Sequence, residues 1–331
     1  MKKDLILMVI NKLFYPFILC CCLFLTTQSY AKEYPEPETM TVEEAYQLGD
    51  LLVDQYKIKQ GQPYLKYAAD KGHAEAALAY SWSLSTNIMV QTPQEHEYAV
   101  KAAELGSEDA KFKLSSSSNI YSDGELFRIP LIKELKSRAE QGDAKAMHRL
   151  SLLYFNSSEG DDWKKKAAEY GDAKAQFELG RRYEVGKGWF FIPGNRDKEI
   201  KRLYKASADQ GNLSGMEGYA SILFKEGKKK EALDIWIKSA NTGSAGAITF
   251  IAGRYLHSLP QITYPEKNEI LGAAYLKIYF DSMGNDKNNS LYDARQNDYI
   301  DLMNRLTDEK KKQVNQFADE FLSKHTVRVI N

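Results

Sequence analysis

The sequence predicts an all-α fold in which antiparallel helix pairs stack in series, and two regularities support this prediction. The first is a glycine that returns six times, at intervals of 29 to 40 residues: Gly72, Gly106, Gly142, Gly171, Gly211 and Gly243. The second is a register of small residues around it, with alanine three positions before each glycine and a small residue four positions after, as at Ala69, Ala139, Ala168, Ala146 and Ala175. A large apolar or aromatic residue follows eight positions after each glycine. So many matching positions indicate internal repeats.

Each repeat glycine is predicted to join two helices. Glycine adopts a left-handed backbone at the least cost, which suits the position just past a helix C-terminus. The residues after the six glycines are mostly good N-caps for a following helix: His73, Ser107, Asp143, Asp172, Asn212 and Ser244. The apolar positions beyond them lie on one helix face. One pair cannot bury that face alone, so the pairs are expected to stack.

The order of elements follows from this register. Residues 32–40 are predicted to be an extended leader because Pro35 and Pro37 space them. Thr41 with Glu44 reads as a capping box at the first helix, and helix pairs are expected from residue 41 to residue 280. Residues 281–331 are predicted to hold capping helices, one at 291–306 and one after Thr307, which cover the open end of the array.

The first 31 residues have the composition of a secretory signal peptide. Three lysines precede an apolar run at 13–25, and Ser29–Ala31 fits a cleavage site. The run is shorter than the roughly 20 residues of a membrane span, although an uncleaved anchor stays open as the only expected membrane contact. Cleavage removes all three cysteines and leaves 42 basic and 44 acidic residues. We therefore expect a periplasmic protein without disulfides that does not bind nucleic acid.

Several stretches resemble one known repeat family. AAEYGDAKAQFELGRRYEVGKG at 167–188, RAEQGDAKAMHRLSLLY at 138–154 and YAADKGHAEAALAYSWSLS at 67–85 are similar to the Sel1-like repeat, a relative of the tetratricopeptide repeat. The resemblance covers about 41–280 and implies a right-handed superhelical solenoid. Most members of that family are adaptors or scaffolds. Exported bacterial members include regulators of signalling, factors for host interaction and immunity proteins against type VI secretion phospholipases.

Two loops between helices depart from the pattern. In the loop at 186–197, Trp189 stands where the resembling repeats have a small apolar residue, and Phe190, Phe191 and Ile192 extend the loop. These residues either tuck under the adjacent repeat or anchor a partner protein, because exposed aromatic residues are frequent binding hot spots. The second loop is expected at 115–130 and contributes two further candidates for partner binding, Tyr121 and Phe127.

No pattern in the sequence indicates catalysis. The five histidines lack helical ligand spacing, and there is no phosphate loop and no serine elbow. We therefore expect no catalytic residue, no cofactor and no metal. The best hypothesis is a non-catalytic periplasmic immunity protein that binds and inhibits a type VI secretion effector of the phospholipase class. The alternative is a periplasmic adaptor or regulator of an envelope or signalling protein. The partner's identity, the oligomeric state and the fate of the leader stay open.

Overall fold

The computed structural model describes residues 34–85, 91–115, 121, 123–259, 261–286 and 289–329. The predicted signal peptide lies outside the described residues. The contacts divide the chain between Met40 and Thr41. Before that boundary, Pro37–Thr39 forms a 3-10 turn in which the Thr39 hydroxyl donates to the Glu36 carbonyl. The prediction of an extended leader is therefore wrong for these three residues, because Thr39 closes a local turn.

The described part of the chain beyond residue 40 is built from sixteen α-helices. In chain order they are α1 (Val42–Asp54), α2 (Ile58–Asp70), α3 (Ala74–Leu84), α4 (Pro93–Glu104), α5 (Glu108–Leu114), α6 (Gly124–Glu140), α7 (Ala144–Leu153), α8 (Ser158–Glu169), α9 (Ala173–Glu184), α10 (Asn195–Asp209), α11 (Leu213–Lys225), α12 (Lys229–Ala240), α13 (Ala245–Leu256), α14 (Glu269–Ser282), α15 (Ser290–Arg305) and α16 (Asp308–Leu322). Consecutive helices from α1 to α15 pack side by side, and α16 packs on α14. The predicted all-α array of helix pairs is confirmed.

The repeat glycines occupy the tight joints between helices. All six have φ between +80° and +103°, a backbone that residues with a Cβ rarely adopt. The residue after each glycine caps the next helix through its side chain. Asp143, for example, accepts from the Ala146 amide at 3.1 Å, and even His73 accepts from Ala76 through Nδ1. Each joint therefore ends one helix and begins another within a few residues.

Small residues at the joints let the helix backbones come close. Ala69, Ala146 and Ala175 are fully buried, and Ala139 and Ala168 are 4% exposed. The positions one and two turns later supply the larger core residues, among them Leu150 and Leu179. These side chains come from neighbouring repeats, so a single buried cluster reaches from Leu131 to Leu203 and joins successive helix pairs.

The two ends of the array are closed in different ways. At the first helix, Thr41 and Glu44 form the predicted capping box. At the other end, α15 and α16 begin within a residue of the predicted positions, with Thr307 as the cap of α16. Their apolar residues pack on α14 in a buried cluster of Ala273, Ala274, Leu302, Leu306 and Val314. This cluster covers apolar surface that α14 otherwise exposes.

The loop expected at 115–130 is shorter than predicted. Helix α6 begins at Gly124, so Phe127 and Pro130 are helical residues rather than loop residues. Proline has no amide proton to donate, which is why Pro130 suggested a break. Pro130 lies in the second turn of α6, and Arg128 in the same part of the helix donates to the Leu153 carbonyl at 3.0 Å.

Candidate functional site

The aromatic loop, residues 185–194 between α9 and α10, presents large apolar side chains to solvent. Trp189 is 91% exposed, Phe191 93% and Ile192 62%. Only Phe190 is partly buried. Of these four side chains, Phe190 alone is therefore packed against the protein, on Tyr183 of α9. The other three side chains have the exposure that a binding anchor needs.

Phe190 and Arg196 hold the loop in shape. The Phe190 ring meets Tyr183 edge to face, with ring centroids 4.9 Å apart, and the Arg196 guanidinium lies 4.9 Å above the same ring. Arg196 also donates to three main-chain carbonyls of the loop and the helix before it, at 2.8 to 2.9 Å. Of these acceptors only Tyr183 belongs to α9, and its carbonyl also accepts from the Gly186 amide at 3.0 Å. These contacts therefore hold in place the loop backbone that carries the exposed side chains.

The backbone of the loop depends on its glycines. Gly186 and Gly188 have φ near +87° and +86°. A Cβ on Gly188 would lie 2.8 Å from the Tyr183 ring, whereas a Cβ on Gly186 would meet nothing within 4 Å. Gly188 is therefore needed both for its conformation and for the close approach of Tyr183, and Gly186 for conformation alone.

The exposed apolar residues favour one edge of the array. Consecutive antiparallel helices place their connections alternately at two edges, so the glycine joints share one and the longer loops share the other, here called the loop edge. Among the described residues, thirteen large hydrophobic side chains are exposed. Nine of them lie in the longer loops or within two turns of them: Trp82, Leu126, Ile129, Phe155, Val185, Trp189, Phe191, Ile192 and Leu259.

The other two candidate residues are less exposed than those of the aromatic loop. Tyr121 is half-buried and stacks on His96, with ring centroids 3.8 Å apart. Phe127 is half-buried on α6. Its neighbours Leu126 and Ile129 are 74% and 65% exposed, and the sequence reasoning missed them. Their spacing of three residues on one helix face was the available signal.

A groove of ≈ 750 Å³ is lined by α7, the first half of α9 and the glycine joints at Gly171 and Gly211. Within it, His148 lies between the carboxylates of Asp172, at 3.5 Å, and Glu178, at 3.2 Å. Burial raises the pKa of Glu178, but hydrogen bonds from His148 and Lys164 outweigh it and bring that pKa down to about 2. The sequence places these residues one repeat apart, and only the stacking brings them together.

This histidine and its carboxylates form a satisfied network rather than a metal site. Asp172 also caps α9, accepting from the Ala175 amide at 2.7 Å, and Glu178 pairs with Lys164 at 2.6 Å. In the part of the chain that the structure describes, no three or more His, Cys, Asp or Glu side chains are arranged so that they could hold a metal ion. In that same part, no helix combines the length and apolar character that a membrane crossing requires.

Solved structures of Sel1 repeat proteins resemble this chain. One is c5321, a protective antigen of uropathogenic Escherichia coli with the SLR fold, at 18% identity and a TM-score of 0.47, over 87% of this chain and 62% of that one. A second is a Sel1 repeat protein from Oxalobacter formigenes, at 22% identity and a TM-score of 0.39, over 71% and 96%. A third is the immunity protein PA5088 from Pseudomonas aeruginosa, at 18% identity and a TM-score of 0.45, over 63% and 80%.

The fold is an array of stacked helix pairs whose glycine register resembles the Sel1-like repeat. The glycine register and the stacked helix pairs of this chain carry that statement, and the chain spans about 62% of the length of the first of these structures. With identities below 25% and TM-scores below 0.5, the likenesses support no conclusion about partners or activity. No family model and no curated protein matches the sequence.

Proposed function

We propose that this Sel1-like repeat array is a non-catalytic binding protein that engages a protein partner through its loop edge. The observation that carries the proposal is the aromatic loop, where Trp189 and Phe191 are each more than nine-tenths exposed on a base fixed by Arg196. Rigid aromatic anchors lose little conformational entropy on binding and are typical hot spots. Leu126, Ile129 and Phe155, which lie on the same edge, extend the apolar contact.

The finer proposal names the partner as a toxin. We infer that the chain is exported to the periplasm and inhibits one cognate type VI secretion effector of the phospholipase class by covering its active site. A protein that must recognise one toxin needs individually shaped loops on a common scaffold, and the aromatic loop departs from the repeat pattern in this way. Occlusion requires no catalytic group on the inhibitor. The alternative partner is a resident envelope or signalling protein that the array would hold as an adaptor.

The test compares three baits that differ only at exposed aromatic residues. The chain from Lys32 onward is used unchanged, with Trp189→Ala and Phe191→Ala together, or with Tyr170→Ala. Tyr170 is 61% exposed but lies at a glycine joint, on the opposite edge, and serves as the matched control. Proteins captured from envelope extract are identified by mass spectrometry, and the candidate partner is then purified and its affinity measured.

We expect one protein that binds the unchanged chain and the Tyr170→Ala chain but binds the double variant at least 30-fold more weakly, since the loss of even one hot-spot side chain costs about 2 kcal/mol. Inhibition of a captured phospholipase would support the toxin assignment, and capture of a resident envelope protein would support the adaptor instead. Equal binding by all three baits would contradict the role of the loop. Binding to phosphatidylglycerol vesicles that the double variant loses would assign the loop edge to a lipid surface.

A further inference from the structure

The C-terminal segment 326–329 lies against a glycine joint far from it in sequence. The Arg328 amide donates to the Gly243 carbonyl at 3.0 Å, and the Arg328 carbonyl accepts from the Ala245 amide at 3.0 Å. These two bonds form a short parallel bridge at the joint between α12 and α13. The segment is well packed there, since Val327 is 1% exposed.

The same segment also binds the end of the first helix. The Gln55 side-chain amide donates to the Val327 carbonyl at 2.8 Å in a buried contact, and the Val329 amide donates to the Asp54 carbonyl at 3.2 Å. The Arg328 guanidinium pairs with Asp50 at 3.2 Å and with Asp54 at 3.4 Å. Residues 326–329 therefore connect α1 to the joint between α12 and α13.

A second C-terminal segment supports the first helix pair from another side. The Gly284 amide donates to the Gln55 carbonyl and the Asp286 amide to the Tyr56 carbonyl. The Asp286 carboxylate accepts from the Lys59 amide at 2.9 Å, in the first turn of α2, where negative charge is favourable. The turn between α1 and α2 thus touches chain that is more than 220 residues away.

The surface on which residues 326–329 pack leaves no room for a side chain at Gly243. A Cβ on Gly243 would lie 2.1 Å from the Thr326 carbonyl oxygen, which no substitution can accommodate without movement. Gly211 occupies the equivalent joint one repeat earlier with a similar φ of +80°, and a Cβ there would meet nothing within 4 Å. Gly243 therefore serves the joint and, in addition, the approach of the C-terminal segment.

We propose that residues 326–329 act as a clasp that ties the first helix pair to the joint between α12 and α13 and so holds the two ends of the array together. In a repeat array each unit contacts only its neighbours, and terminal units open most easily. The first helix pair here has in addition partners from the last part of the chain. When the clasp is released, α1 and α2 lose the contacts with residues 326–329 and open more readily, while the middle repeats keep all of theirs.

Amide hydrogen exchange measured by mass spectrometry tests the clasp. A chain ending at His325 lacks it, and a chain ending at Val329 retains every contact described above and is the control. The clasp predicts that peptides from 42–70 exchange at least tenfold faster in the shorter chain than in the control, while peptides from 195–225 are unchanged. If peptides from 42–70 are equally protected in both chains, the proposal is wrong.

A pair of point variants repeats the test without shortening the chain. Gly243→Ala and Gly211→Ala impose the same left-handed strain on alanine, but only the first collides with Thr326. We expect Gly243→Ala to speed exchange in 42–70 at least fivefold, and Gly211→Ala to affect only the helices at its own joint. Equal exchange of 42–70 in the two variants would overturn the proposal. Neither outcome depends on the role of the aromatic loop.

Discussion

In the aromatic loop, some residues hold the backbone in its conformation and others expose their side chains to solvent. Arg196 and Phe190 form the base, through the carbonyl contacts of the first and the Tyr183 contact of the second. Trp189 and Phe191 contribute almost nothing to the fold because they are almost wholly exposed. Substitution of Trp189 or Phe191 is therefore expected to change binding and to leave the free energy of unfolding within about 0.5 kcal/mol of the unchanged chain.

Gly188→Ala is predicted to disturb the loop more than Gly186→Ala. Both substitutions place alanine at positive φ, which costs about 1 to 2 kcal/mol. Only the Cβ at position 188 also collides with Tyr183, so only that variant should displace Phe190 from its seat. Limited proteolysis measures the result: cleavage within 185–194 should accelerate in Gly188→Ala well beyond Gly186→Ala, and equal cleavage of the two would contradict the proposed packing.

Asp54 gives the clasp a predictable response to pH. Burial, together with the nearby Asp50 and against the attraction of Arg328, raises the pKa of Asp54 from 3.8 to about 6. The folded state therefore holds this proton more tightly than the unfolded state, so its contribution to stability is complete below about pH 4 and is lost as pH rises through 6. Asp54→Asn removes the titration, so its melting temperature relative to the unchanged chain should rise between pH 5 and pH 8. The same difference at both pH values would show that Asp54 is not desolvated.

At the level of elements, the helix caps are where sequence and structure agree most closely. Asp172 follows a repeat glycine, and its carboxylate caps α9 as its position indicates. The sequence could predict this because a cap and its glycine are local, within four residues of each other. The start of α6 at Gly124 was missed because the contact that supports it, from Arg128 to Leu153, joins residues of different helices. The His148 network was missed for the same reason.

Asp172→Ala should destabilise the protein by about 1 kcal/mol or somewhat more, whereas Asp172→Asn should cost much less. Alanine removes the acceptor for the Ala175 amide, and asparagine retains one. The additional cost comes from His148, which lies 3.5 Å from the Asp172 carboxylate and loses that neighbour in both variants. Urea unfolding of the two variants measures the difference, and an equal loss in both would place the role of Asp172 in the histidine network rather than in the cap.

At the level of the whole chain, the sequence predicts the stack but not the contact between its ends. The register and the C-terminal helices follow from periodicity, which is a local property. The contacts of Gln55, Asp54 and Gly284 join residues separated by more than 220 positions, and no local pattern encodes such a pairing. The loop edge could be predicted only in part. The apolar run at 189–192 is visible in the sequence, but the sequence does not show that Tyr183 packs on Phe190 alone and leaves the other three side chains exposed.

The two C-terminal contacts of the first helix pair should act together in unfolding. Arg328→Ala removes the ion pairs to Asp50 and Asp54, and Asp286→Ala removes the acceptor at the start of α2. Each change alone leaves the other contact in place, so we expect each to cost about 1 kcal/mol. The double variant should lose more than the sum, by about 0.5 kcal/mol or more, because both charged contacts are then gone and main-chain bonds and the Gln55 contact are left to connect the first helix pair to the C-terminal segments. Urea unfolding followed by circular dichroism and by tryptophan fluorescence provides the double-mutant cycle.

The transitions seen by the two signals should coincide in the unchanged chain and separate in the double variant. Helices α1 and α2 contain no tryptophan, so their early opening is seen by circular dichroism alone. Strict additivity with coincident transitions would show that the two contacts do not hold one common unit.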